Sequence, residues 1–215
     1  MKTAAPQQDR SVRSLNRMLD AAEQLMERHH FEDIAVADVA ALAGTSVGNF
    51  YGRFASKNDL LDALHQRYEQ QRAKIWRDFL RSPQRADDSL AETISGLIKT
   101  AIKNYRAHRG VLRTLVTRQW RNPEQMTDQE RRDLGGLYEE GFSVLLRHRG
   151  EIRHPDPDSA VRIGAAVVLA ACRENIVLRP VSMPASLKVG EARLSNELSA
   201  MLYAYLTCSR SKVSA

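Results

Sequence analysis

The sequence predicts an all-α protein, with three short-to-medium helices at the N-terminus, a long fourth helix and a larger helical region after it. Apolar residues recur at spacings of three and four along most of the 215-residue chain, which is the period of an amphipathic helix. Ala, Leu and Arg are plentiful, aromatic residues make up only 6%, and this mixture favours helix. No stretch shows the sustained alternation typical of strands. We therefore expect about nine helices joined by short connections.

The composition excludes several classes of protein. Hydrophobic residues make up 43% and charged residues 27%, as in folded globular proteins. The longest apolar run, 164–172, is too short to span a bilayer, and residues 1–15 lack the apolar segment of a secretory signal. Cys172 and Cys208 have no neighbours at metal-ligand spacing and are expected to be reduced and buried. We expect a cytoplasmic protein with no membrane contact, metal or cofactor.

The distribution of charge along the chain is uneven. The net charge is +6 and the pI is near 9.5. Residues 1–60 nevertheless contain seven basic and eight acidic residues, a net charge of −1. The basic balance therefore lies in the rest of the chain, and it does not identify a nucleic-acid-binding segment near the N-terminus.

The N-terminal 54 residues contain the most informative pattern. Residues 1–10 are expected to be a flexible arm, and residues 11–29 the first helix. A short helix over 36–43 is followed by Gly44, which can take the left-handed conformation that ends a helix and turns the chain. Residues 46–52 can form the next short helix.

A fourth, long helix is expected to follow and to continue to Pro83. Ser56 and Asp59 form a variant of the capping box at its start. The tail 209–215 is expected to be frayed. Five further helices are predicted, over 89–109, 111–120, 127–149, 158–178 and 191–208.

Residues 36–54 meet the requirements of a helix-turn-helix: a short helix, a tight turn and a second helix with small and polar residues. The stretch resembles the TetR family of bacterial regulators, and the similarity covers about residues 11–62. The matching residues are Ala21-Ala22, Phe31, Asp38-Val39-Ala40, Ala43-Gly44-Thr45-Ser46, Gly48, Asn49-Phe50-Tyr51, Phe54, Ser56-Lys57 and Asp59-Leu60. The resemblance implies a DNA-binding domain over 11–57 and an effector-binding and dimerisation domain over 58–208.

Residues at and after the turn are the candidate DNA contacts. Hydroxyl groups and free N–H groups at the start of the second helix can bind phosphate, and an Asn or Val side chain can read a base edge. The candidate phosphate contacts are Thr45, Ser46, Tyr51, Arg53 and Lys57. The candidate base readers are Val47 and Asn49, and Gly48 permits close approach. Val39, Leu42, Phe50 and Phe54 are expected to be core. With little local positive charge, the predicted salt dependence of DNA binding is shallow.

The last two predicted helices are the candidate dimer surface. The segment 165–171 is apolar on all sides, and such a helix must be covered on more than one face; a fully buried core helix in a monomer would satisfy this equally. The candidate dimer residues are Val161, Ala165, Val168, Leu169, Cys172, Leu198, Leu202 and Tyr205. The resemblance also implies an effector pocket among the middle helices. Its candidate lining residues, each of which fits simple core as well, are Tyr105, Leu112, Leu115, Trp120, Tyr138 and Phe142.

The function predicted from the sequence is transcription regulation by a homodimeric repressor. It would bind a palindromic operator in double-stranded DNA and be released by a small-molecule effector. The alternative is a DNA-binding or interaction protein that needs no effector. An enzyme is not expected, because the sequence has no paired carboxylates with a pocket signature, no Gly-rich phosphate loop and no nucleophile elbow.

Overall fold

The all-α prediction is confirmed by a computed structural model that describes residues 5–121, 128–178 and 189–208. The described residues contain nine α-helices and two single turns of 3-10 helix, Phe31–Asp33 and Pro83–Arg85, and no strand. The helices are α1 (Ala5–Met26), α2 (Val36–Leu42), α3 (Val47–Tyr51), α4 (Lys57–Leu80), α5 (Leu90–Ala107), α6 (Arg109–Arg121), α7 (Asp128–Leu146), α8 (Pro157–Ile176) and α9 (Glu191–Thr207).

The first helix begins earlier than expected. The sequence indicated an arm over residues 1–10, but α1 starts at Ala5, so that residues 5–10 are helical. Pro6 lies in the first turn, where its missing N–H group costs no hydrogen bond. The expected arm was wrong for these residues because the helix was predicted from apolar periodicity, which begins only at Val12, whereas a helix can extend beyond its apolar stripe.

The chain divides into two compact units. The N-terminal unit comprises Met1–Gln71 and His108–Arg121, and the C-terminal unit comprises Arg72–Ala107 and Asn122–Ala215. The division differs from the expected boundary near residue 57, because the first part of α4 and all of α6 belong to the N-terminal unit. The DNA-binding region predicted from the sequence is therefore part of a larger body.

The N-terminal unit has one continuous apolar core. α1 and α4 contribute Met18, Ala22, Met26, Leu60 and Leu64, all at most 1% exposed. α6 contributes Val111, and Leu112 and Leu115 pack against the same core. The expectation that Leu112 and Leu115 line a pocket of the larger domain is therefore corrected: these two side chains cover the core of the N-terminal unit.

α6 is attached to the C-terminal end of α1 by polar contacts. Arg109 Nη2 lies 2.6 Å from Glu27 Oε2. Arg113 donates to the carbonyl oxygens of Met26 and His29, at 2.9 and 3.2 Å, and so satisfies acceptors that the end of α1 leaves open. Gly110 was expected to interrupt a helix. It instead lies within α6, where α6 passes close to the backbone of α1.

The C-terminal unit is built around α5, which packs against α8 and α9, while α7 packs against α8. α5 begins with the predicted capping box, in which Ser89 N donates to Glu92 Oε2 at 2.8 Å and Glu92 N donates to Ser89 Oγ at 3.3 Å. The hydrogen bonds from Ser89 lower the pKa of Glu92. The core residues of this unit include Leu90, Ile94, Ile98, Val161, Val168, Cys172, Leu198, Leu202 and Leu206.

This packing corrects most of the candidate dimer residues. Five of the eight are buried in the core of their own chain, namely Val161, Val168, Cys172, Leu198 and Leu202; Ala165, Leu169 and Tyr205 are half-buried. The large apolar side chains that remain exposed on these two helices are Ile163, Val167, Met201 and Tyr203. When a helix is apolar on all sides, its sequence does not identify the face that packs against the core of the same chain.

The candidate pocket residues of the C-terminal unit differ in environment. Tyr105 and Phe142 pack against the core. Tyr138 is exposed, and its ring stacks on that of Phe142 with centroids 6.3 Å apart. Trp120 belongs to α6, and its side chain lies outside the described residues.

The two cysteines also differ. Cys172 is buried, as expected, and burial raises the pKa of its thiol to about 11. Cys208 is exposed at the end of α9, so the expected burial was wrong for this residue. Along the described chain, no group of three or more His, Cys, Asp or Glu side chains is placed to hold a metal ion. None of the described helices is both long and apolar enough to cross a membrane.

Gly110→Ala tests the close packing of α6 on α1. A Cβ at residue 110 would lie 2.6 Å from the carbonyl oxygen of Met26, so that one helix must shift. We expect a loss of about 1–3 kcal/mol in the free energy of unfolding, measured by urea denaturation. The matched control is Gly136→Ala on α7, where a Cβ meets nothing within 4 Å and the better helix propensity of Ala should stabilise by up to about 1 kcal/mol. Equal effects of the two substitutions would contradict the packing argument.

Candidate nucleic-acid interface

The turn between α2 and α3 depends on Gly44. Its φ of 62° is the one positive φ along the described chain, and a side chain here would be strained. This conformation brings Thr45 N to 2.9 Å from Ala40 O and Gly44 N to 3.1 Å from Ala41 O, which satisfies carbonyl groups at the end of α2. The role predicted for Gly44 is confirmed.

α3 is held by one buried ring and one N-terminal cap. Phe50 is completely buried, and its ring contacts that of Phe54 at a centroid distance of 5.2 Å. Ser46 Oγ accepts a hydrogen bond from Asn49 N at 3.1 Å. The cap fixes the start of α3 and the ring fixes its orientation, so that the opposite face is presented to solvent.

Most of the candidate DNA-contacting residues lie on this exposed face. Ser46, Val47, Gly48, Asn49, Tyr51 and Arg53 are exposed, whereas Thr45 and Lys57 are half-buried. Tyr51 is 54% exposed although its ring packs edge-on against Phe50 at 5.4 Å, so its hydroxyl group is held outward. Leu42, the last residue of α2, was expected to be core but is 47% exposed.

Gly48 has no packing role within the chain. A Cβ built on it would meet only Ser46 Oγ, at an ordinary 3.9 Å, and its backbone conformation is open to any residue. A glycine in the middle of a helix lowers helix stability. Its presence on the exposed face is therefore better explained by a partner that approaches the backbone of α3.

Asn49 on α3 and Arg53 in the following turn contact α1. The sequence did not indicate these contacts. Asn49 Nδ2 donates to Thr45 Oγ1 at 2.6 Å and lies 3.4 Å from Ser14 Oγ. Arg53 Nη2 donates to Ser11 Oγ at 2.7 Å. The spacing of Ser11 and Ser14 places both on one side of a helix, but only the packing of α1 along α3 reveals their partners.

Lys57 has a structural role that the sequence did not indicate. Its Nζ donates to the carbonyl oxygens of Phe31, Glu32 and Ile34, at 2.9, 2.9 and 3.0 Å, and lies 4.8 Å from the centroid of the Phe31 ring. All three donors of the ammonium group are thus used. A phosphate contact by Lys57, expected from the sequence, would compete with these bonds.

The start of α4 is fixed independently of Lys57. Ser56 N donates to Asp59 Oδ2 at 2.9 Å, and Asp59 N donates to Ser56 Oγ at 3.2 Å. The variant capping box predicted from the sequence is therefore present. The box fixes the first turn of α4, and the Lys57 contacts tie that turn to the segment between α1 and α2 that leads into the helix-turn-helix.

The comparisons with known proteins agree with this geometry. The sequence profile of the family described as "Bacterial regulatory proteins, tetR family" matches residues 18–64, which include α2, the turn, α3 and the capping box of α4. No curated protein sequence matches the chain.

Several solved structures share the fold. A tetR-family transcriptional regulator from Streptomyces coelicolor aligns with a TM-score of 0.62 at 14% identity, over 89% of this chain and 79% of that one. A ketosteroid transcriptional regulator of Mycobacterium tuberculosis aligns with a TM-score of 0.59 at 17% identity, over 90% and 95% of the two chains. At these identities the likeness concerns the fold.

Lys57→Ala tests the structural role of the ammonium group. The substitution leaves three carbonyl groups without their charged donor, and we expect a loss of about 2–3 kcal/mol in the free energy of unfolding without any DNA present. The matched control is Arg53→Ala, which removes one exposed contact and should change stability by less than about 0.5 kcal/mol. Thermal denaturation followed by circular dichroism distinguishes the two. A Lys57 variant that is as stable as the control would contradict the claim that the carbonyl contacts stabilise the fold.

Proposed function

We propose that this chain, a member of the tetR family of bacterial regulatory proteins, acts as a homodimeric repressor on a palindromic DNA operator. It would act in the cytoplasm on the nucleoid and leave the operator when a small molecule binds the C-terminal unit. The observation that carries the proposal is the exposed face of α3, which is polar, glycine-containing and held on a rigid apolar core. DNA-binding transcription regulation follows from the family.

The exposed face of α3 supports a division of roles among its residues. The Tyr51 hydroxyl is directed outward by ring packing, which suits a phosphate contact. Val47 lies exposed on the first turn, where its methyl groups can meet a thymine methyl group. Asn49 can pair with adenine only after its amide breaks the hydrogen bond to Thr45. A base contact by Asn49 would therefore exchange one hydrogen bond for another.

Gly48→Ala tests whether DNA approaches the backbone of α3. Since a Cβ has room within the chain, the variant should fold normally and be more stable by about 0.5–1 kcal/mol. Its affinity for an operator should nevertheless fall at least about tenfold, because the methyl group separates α3 from the groove, a loss of about 1.4 kcal/mol. The DNA that flanks the chain's own gene is searched for a palindrome, and footprinting identifies the protected site. The affinity of each protein for that site is then measured by titration.

The control for this experiment is again Gly136→Ala, which adds the same methyl group on α7 and should leave DNA affinity unchanged. Failure of the wild-type chain to protect any palindrome in the flanking DNA would count against the proposed operator at that location. Undiminished binding by the Gly48 variant would overturn the assignment of α3 as the helix that enters the groove.

The proposed dimer uses the exposed apolar side chains of α8 and α9 rather than those first expected. Val167 is 55% exposed and Met201 is 61% exposed. Ile163 lies one helical turn from Val167, so that the two form a stripe along α8. An exposed apolar stripe on α8, with the exposed Met201 on the neighbouring α9, marks an interaction surface. A second copy of the chain would cover them, and a two-fold axis would pair two recognition helices with a palindrome.

Ile163→Glu with Val167→Glu tests this surface. Both positions are exposed, so the charges should leave the fold intact but separate the subunits, because a carboxylate is costly in a desolvated interface. Sedimentation velocity at micromolar concentration should show a dimer for the wild type and a monomer for the variant. Val12→Glu is the matched control, since Val12 is 52% exposed on α1, and should remain dimeric. A monomeric wild type, or a dimeric double variant, would refute the proposed surface.

The effector is proposed to bind within the C-terminal unit. Tyr105 and Phe142 remain as candidate wall residues, since both pack against its core. Asn104 and Ser195 are polar side chains buried in the same unit, at 2% and 5% exposure. Polar groups in an apolar interior suit a ligand with a few hydrogen-bonding groups. The alternative is a regulator without an effector, and release from DNA by a small molecule distinguishes the two.

A further inference from the structure

The N-terminal half of α1 carries a row of three arginines, Arg10, Arg13 and Arg17. Their spacing of three and four residues places them within a narrow sector of the helix surface. All three side chains are exposed. Among the described residues, none of the three forms an ion pair with a carboxylate. The row is therefore a strip of exposed positive charge, about two helical turns long.

This arginine row runs beside the recognition helix. Ser11 and Ser14, on the adjoining sector of α1, contact Arg53 and Asn49 at 2.7 and 3.4 Å. At the other end of the row, a Cβ built on Gly44 would lie 3.8 Å from Arg17 Nη1. The guanidinium of Arg17 thus lies at the turn that precedes α3. The row and the exposed face of α3 form one continuous surface.

The acidic residues in the second half of α1 are engaged in ion pairs. Arg67 Nη1 lies 2.6 Å from Asp20, and its Nη2 lies 3.0 Å from Glu23. Glu27 pairs with Arg109. By the helical period Glu23 lies away from the arginine row, whereas Asp20 follows Arg17 by three residues and borders the row, where Arg67 neutralises it. The N-terminal unit as a whole has twelve basic and ten acidic residues, a net charge of +2.

From these exposed arginines beside α3 we infer that the arginine row of α1 is a second DNA-contacting element, which binds the phosphodiester backbone beside the groove that α3 enters. The contact is independent of base sequence, because guanidinium groups on an exposed helix face meet phosphates rather than base edges. This inference rests on the proposed DNA binding and changes the salt dependence expected for that binding. The salt dependence is steep rather than shallow, although residues 1–60 have a net charge of −1.

The test is the salt dependence of DNA binding by the full chain. The variant is Arg10→Gln, Arg13→Gln and Arg17→Gln, which keeps exposed helix-forming residues at each position. Two probes are used in fluorescence anisotropy between about 50 and 200 mM NaCl: a duplex of about 30 base pairs of arbitrary sequence and the palindromic fragment found by footprinting. For each DNA-bound head, the slope of log K against log salt should flatten by about 0.9 per arginine, or about 2.7 for the row.

The matched control removes the same charge from the C-terminal unit. Arg77→Gln, Arg81→Gln and Arg147→Gln alter three exposed arginines and should leave the slope on both duplexes close to that of the wild type. Circular dichroism of both triple variants should show unchanged helix content, because no substituted side chain is buried.

The outcomes separate this inference from the proposed function. A flattened slope on both duplexes for the α1 variant alone supports the inference. A wild-type chain that binds DNA, with an α1 variant of unchanged slope, overturns the inference and leaves the proposed function standing. An effect on the palindrome alone would assign the row to base reading and overturn the backbone contact. A wild-type chain that binds neither duplex would overturn both proposals.

Discussion

The burial of Phe50 is the interaction on which the DNA-binding surface depends. α3 has only five residues, and so short a helix has no stability of its own in water. Its single large apolar side chain enters a core made by α1, α2, α4 and α6, and this contact fixes the rotation of α3 about its axis. The other side chains of α3 are exposed, and of these the Asn49 amide is also hydrogen-bonded to Thr45 and Ser14.

Polar contacts around this core fix the rest of the surface. The Lys57 ammonium holds three carbonyl groups of the segment between α1 and α2. Arg113 does the same for the end of α1. Both are charged groups bonded to backbone acceptors, a type of hydrogen bond stronger than a neutral pair. Basic residues of this unit therefore serve two purposes, and a sequence count of charge does not separate those that hold the fold from those that face solvent.

The sequence was informative where structure is determined by neighbouring residues. Gly44 and the Ser56–Asp59 box act within a few positions of themselves, and both the turn and the start of α4 could be predicted. The partners of Lys57 could not, because its carbonyl acceptors lie more than twenty residues away and converge only when α4 packs. Leu112 and Leu115 were assigned to the C-terminal unit for the same reason. α6 packs on the N-terminal unit although it is far from that unit's other helices in sequence.

The last two helices show a different limit. Along α8 almost every residue from 163 to 172 is apolar or small, so hydrophobic periodicity, which usually identifies the buried side, is lost. Such a sequence predicts that two sides of the helix are covered. It does not predict which side packs against the helix's own chain and which side would meet another molecule. The contact of α8 with α9 settles the first side. A Cβ built on Gly164 would lie only 2.5 Å from a methyl carbon of Leu202, and Val168 and Cys172 follow on the same face. The side that remains exposed carries Ile163 and Val167, and it is the side proposed to meet a second copy of the chain. Such a proposal can be made only after the intramolecular core is known, because the sequence alone does not divide the two sides.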